Sequence, residues 1–243
     1  MRLIYLAPFF IVGCAASPGT RPDDMSASRH EAVADAHEAE AESHARSGSA
    51  ARDADAGRAA CPPTATVAGS VPHICWTAGA QATSDHADAA AVHRRIAAEH
   101  RAASRALRDA EARACAGLAD DDRDASPFTH TEDISGVAPL VESVRAGRTS
   151  VSKTTGASVT FRALPGLTAE WLQRVIDCHL ARNAALGHEL ANMDDCPLVP
   201  RGVAARVAST GNGFVVAIRG EDQEAIDAIV LRADKLKARL ERR

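Results

Sequence analysis

Six of the chain's ten histidines fall into two evenly spaced sets. His30, His37 and His44 advance by seven residues, and so do His86, His93 and His100. Seven residues are about two turns of α-helix, so each set forms a stripe along one helix face. Neutral imidazole ligates zinc and copper(II), and the carboxylates of Glu31, Glu38 and Glu99 adjoin the stripes. Three readings are open: transition-metal capture by pairs of imidazoles, a shared protonation in mild acid whose repulsion opens the structure, or a solvated heptad surface that does neither.

A second group is Cys178, His179, His188 and Cys196, whose spacing matches no tight zinc signature. Cys178 and His179 are adjacent on a helix and point about 100° apart, so they cannot act as nucleophile and base. The expectation for this group is a Cys178–Cys196 disulfide. Cys61–Cys75 is a weaker second bridge, which leaves Cys115 as the odd thiol. The acidic run at 120–124 lacks the glycine and the alternating ligands of a calcium loop. Nothing resembles G-x-S-x-G, H-E-x-x-H or a phosphate-binding loop, so no catalytic residue is assigned. An enzyme would need a site assembled from distant residues around Cys115 or His179.

The N-terminus reads Met1-Arg2, an apolar run from Leu3 to Val12, then Gly13-Cys14-Ala15. A positive charge before a short apolar run has the form of a secretory signal, and the run is too short to span a membrane. Ile11-Val12-Gly13-Cys14 resembles the lipobox of bacterial lipoproteins. The resemblance implies cleavage before Cys14, a diacylglycerol on its sulfur, acylation with palmitate, and a membrane partner reached through the lipid anchor. Ala15 in place of aspartate points to the outer membrane, on its periplasmic side.

The elements that would position these residues follow from composition. The chain holds 53 alanines, and its larger apolar side chains are unevenly spread: 11 from Ala15 to His130 against 31 from Val137 to Arg243. Only the C-terminal part can build an ordinary core. Ser26 to about Arg46 and Ser84 to about Cys115 lack interior Gly and Pro and are expected as helices. The expected seam runs Ala27, His30, Ala34, His37, Ala41, His44 in the first helix. In the second it runs Ala89, His93, Ile96, His100, Ala103, Leu107, Ala110, Ala114. Small alanines would let an antiparallel hairpin close and bring the stripes together.

Beyond this, strand periodicity at Val159 and Phe161, a helix capped by Thr168, a hairpin at Gly211-Asn212-Gly213 with positive φ, and a last helix carrying Ile226, Ile229 and Leu236 predict ββαββα. The fold class is therefore α+β: an Ala/His-rich helical hairpin, then a small antiparallel sheet with both helices on one face. The expected divisions are a signal at 1–13, a lipidated tether at 14–24, the hairpin with a long irregular connection at 25–117, a linker at 118–136 and the α+β domain at 137–243.

The net charge of −4 and pI of 6.2 argue against a nucleic-acid partner. The functional expectation is a non-catalytic envelope lipoprotein facing the periplasm. It would bind an envelope protein, or zinc or copper, through histidine-lined helices. The alternatives are a periplasmic enzyme and a pH-responsive helical switch.

Overall fold

The computed structural model describes residues 17–58, 78–190 and 193–242. These form two compact units, one of residues 17–21, 33–58 and 78–100, the other of 22–32, 101–190 and 193–242. The boundary falls inside both long helices, not at the expected 117/118 division. The α-helices are α1 (Ala27–Arg58), α2 (Ala78–Ala114), α3 (Asp120–Asp124), α4 (Ala169–Ala185) and α5 (Gln223–Glu241). The strands are β1 (Ile134–Ala146), β2 (Thr149–Arg162), β3 (Val203–Thr210) and β4 (Gly213–Gly220). α1 runs on to Arg58 and α2 starts already at Ala78, because these added stretches are rich in alanine and free of Pro, which offsets Gly48, Gly57 and Gly79.

In the first unit, α1 and α2 pack through very small side chains. Ala34, Ala41, Ala90 and Ala97 are at most 2% exposed, which lets two backbones approach closely. The α2 seam differs from expectation. Ala90 and Ala97 carry it, while Ala89 and Ile96 are half-buried. Both registers contain the histidines. Only the one built on Ala97 keeps the bulk of Ile96 from holding the helices apart.

In the second unit the chain order is ββαββα and all strand pairings are antiparallel, in the order β1-β2-β4-β3. The architecture is α+β, as the periodicity predicts. Alternate residues of the two central strands, Val159 and Phe161 on β2 with Val216 and Ile218 on β4, share one core with Leu172 and Ile176 of α4 and Ile229 and Leu236 of α5. One face of the sheet thus carries both helices. Thr168 caps α4 by accepting from the Trp171 backbone N–H at 3.1 Å, and Asp222 caps α5 through the Ala225 N–H at 2.8 Å.

Two glycines are fixed by close backbone approach. Gly156 sits at a register shift between β1 and β2 with φ +155°, and a Cβ there would lie 1.9 Å from the Ile218 carbonyl oxygen. Gly213 has φ +148°, and a Cβ would lie 2.0 Å from the Phe161 oxygen. At the β3–β4 hairpin the positive φ thus falls on Gly213 and not on the two loop residues Gly211 and Asn212.

Segment 118–136 is not a free linker. It contains α3, a short 3-10 turn at Thr131–Asp133 and the start of β1, and Phe128 is 1% exposed within the sheet's core. Arg239 of α5 donates to the Phe128 carbonyl and pairs with Asp195 at 2.7 Å, tying two connections to the last helix.

Candidate functional site

The α1–α2 pair brings five of the six predicted histidines together within the first unit. His37 and His93 face each other with Nδ1 atoms 2.9 Å apart, and His44 and His86 do so at 3.2 Å. The residue number rises by seven in α1 as it falls by seven in α2, which is antiparallel register. Between these pairs the rings stack: His37 on His100 with centroids 6.0 Å apart, His44 on His93 at 5.4 Å. The result is a continuous ladder, His100–His37–His93–His44–His86, alternating ring stacking with nitrogen-to-nitrogen contact. The sixth, His30, is fully buried and belongs to the second unit.

The ladder follows from the sequence in two steps. A heptad histidine returns to the same face every two turns, and alanine between histidines lets the facing stripe come within ring contact. The rings of His37, His44, His86 and His93 are half-buried, so water reaches their edges. Each nitrogen pair is within hydrogen-bond reach, with the tautomer of each ring setting which nitrogen donates. The facing rings have centroids 5.2 Å apart for His37–His93 and 5.5 Å apart for His44–His86.

The expected carboxylate partners do not complete a metal shell. Glu99 accepts from the Ser17 backbone N–H at 3.1 Å and pairs with Arg95 at 3.9 Å. The Ser17 hydrogen bonds hold its carboxyl below the usual range. Glu31 lies in the second unit. Among the described residues, no group of three or more His, Cys, Asp or Glu side chains is arranged to hold a metal ion. What the ladder offers is pairs of imidazole nitrogens.

The cysteine–histidine group is separated by the fold. Cys178 is bonded to Cys115, with Cα atoms 4.6 Å apart, and Cys196 is a buried free thiol. This corrects the expected Cys178–Cys196 bridge and the expectation that Cys115 is the odd thiol. The roughly 100° between adjacent helix positions is the reason. Once His179 turns toward Cys196, with Nε2 3.3 Å from the sulfur, Cys178 points elsewhere and meets the chain just past the end of α2. The expected Cys61–Cys75 bridge and the Cys14 motif lie outside the described residues.

His179 is 2% exposed, and burial, reinforced by Arg182, pushes its pKa down to about 4. Burial also raises the Cys196 thiol. Both groups are therefore neutral at pH 7, with Sγ and Nε2 sharing a hydrogen bond, so the pair lacks the thiolate a nucleophile requires. His188, with φ 63°, makes a 2.8 Å hydrogen bond from Nδ1 to the Val199 carbonyl and is likewise kept below its ordinary pKa by burial. The four residues thus serve three separate contacts. Neither Cys115 nor His179 lines the cleft of about 670 Å³ that Trp171 borders.

Among the described residues no helix is long and apolar enough to cross a membrane. No family model, curated protein or solved structure matches the chain.

Proposed function

We propose that the chain is a periplasm-facing envelope lipoprotein, anchored in the outer membrane through Cys14, whose histidine ladder takes up zinc or copper(II). One observation carries the metal reading: like ring nitrogens meet across the helices at 2.9 and 3.2 Å. Two ligands bonded to one ion at about 2.0–2.1 Å lie about 2.9 Å apart at a square-planar corner and about 3.3 Å apart on a tetrahedron. Each histidine pair therefore spans the edge of a coordination shell, with water supplying the remaining ligands. Two neutral imidazoles bind an ion weakly, which suits buffering or transfer better than a permanent structural centre. Protons compete for the same nitrogens, so uptake belongs to neutral pH and release to mild acid.

Calorimetric titration of the full chain with zinc and with copper(II) at pH 7.5 and pH 5.5 tests this reading. The control carries His37, His44, His86 and His93 changed to Gln. The expected result is binding tighter than about 100 μM, roughly 5.5 kcal/mol, at the higher pH only and absent in the control. Equal binding by wild type and control would sink it. The anchor is tested separately: Cys14→Ser should release the protein from the membrane fraction or leave it unprocessed, and a membrane-bound mutant of mature mass would refute the lipid attachment.

A further inference from the structure

The second unit holds a cleft of about 670 Å³ that the histidine ladder does not touch. Its floor is apolar, formed by Phe161, Leu164, Leu167, Leu172 and Val175, with Trp171 beside them at 37% exposure. Asp121, Asp122, Asp124 and Asp133 of the acidic segment and the turn before β1 line the same cleft. These carboxylates are unevenly compensated. Arg123 and Arg182 pair with Asp124 at 3.5 and 3.1 Å, and Arg123 also pairs with Asp120 at 3.4 Å. Among the described residues no cation pairs with Asp121, Asp122 or Asp133. Asp122 and Asp133 are half-buried, so their charge reaches the cleft through less water than a surface carboxylate's would.

The volume lies within the range of about 300–1,000 Å³ typical of small-molecule sites. An apolar floor alone would accept a neutral body, and an acidic wall alone would hold a solvated ion. Their juxtaposition selects a ligand that has both parts. We propose that this cleft binds a small organic cation with an aromatic or aliphatic body. The ammonium group lies against Asp122 and Asp133, and the body lies on Leu164, Leu167 and the face of Trp171. The surrounding fold supports preorganisation: Thr168 caps the helix that carries Trp171, and Phe128 anchors the acidic segment in the core.

The test uses the full chain with Trp76→Phe, which leaves Trp171 as its single tryptophan. Its fluorescence is followed while 4-phenylbutylammonium is added, and the neutral 4-phenylbutanol serves as the matched body without the charge. The expected result is a saturable change in which the ammonium binds at least about tenfold tighter than the alcohol, equivalent to about 1.4 kcal/mol. Adding Asp122→Asn and Asp133→Asn should abolish that preference while the alcohol still binds, which shows that the cleft remains folded. High salt should narrow the gap between the two ligands. Equal binding of ammonium and alcohol, or no saturation by the ammonium below about 10 mM, overturns the proposal. The histidine-to-Gln control should bind as the parent does, so this outcome is separate from that of the metal titration.

Discussion

Replacing Cys115 with Ser tests the cysteine pairing and its energetic weight together. The bridge joins positions 63 residues apart, from the end of α2 to the middle of α4. For a loop of that length the chain-entropy relation assigns about 4 kcal/mol of stabilisation, by restricting the unfolded chain. A Cys178–Cys196 bridge would close a loop of about 19 residues and contribute about 3 kcal/mol, and Cys115→Ser would then cost almost nothing. The assay is urea unfolding followed by far-UV circular dichroism, without reductant, for wild type, Cys115→Ser, Cys178→Ser and the double variant. With a slope of about 2 kcal/mol/M, the midpoint should fall by about 2 M in each single variant. The double variant should fall no further than the worse single one, because both changes remove the same bond. Cys196→Ser should cost only about 1 kcal/mol, the scale of one buried hydrogen bond to His179. Wild-type stability in Cys115→Ser, with Cys178 and Cys196 joined in unreduced peptide maps, would refute the reasoning.

Three further outcomes follow from the second unit. His179 binds its proton in the unfolded chain near pH 6.5 but in the folded protein only near pH 4. Stability should therefore fall as pH drops through that window, by up to about 3 kcal/mol; His179→Leu should flatten the slope of urea midpoint against pH, and an unchanged slope would contradict the assignment. Gly156→Ala should cost about 2 kcal/mol or more, because the new Cβ meets a strand carbonyl at 1.9 Å, whereas Gly147→Ala, with φ +65° and no atom within 4 Å, should cost only about 1 kcal/mol for its backbone strain. Thermal melts that rank the two alike would show that the β2–β4 approach is not tight. Thr168→Ala removes the α4 cap and should lower stability by about 1 kcal/mol, measurable as a shift in denaturant midpoint.

The ladder was legible in outline because a heptad is a local property. Position along one helix decides which histidines share a face, so His37, His44, His86 and His93 could be named before any packing was known. The pairing of particular rings was not legible. It depends on the register between helices, and the side chains alongside, Ala89 against Ala90 and Ile96 against Ala97, differ by one residue. The close-packed choice won because small side chains let the backbones approach.

The amino-acid sequence by itself determined the order ββαββα, the antiparallel hairpin at 211–213 and the capping of α4 by Thr168. Each of these rests on alternation, turn residues or a single side chain within a few positions of its partner. The tertiary structure alone decided that Cys178 joins Cys115 and not Cys196, that Phe128 belongs to the core, and that an acidic segment faces an apolar floor near Trp171. Those outcomes join residues from separate elements, 63 positions apart in the case of the disulfide. Helix phase turns the buried Cys178 and His179 in different directions, and only the tertiary packing around α4 decides that one meets Cys115 and the other Cys196.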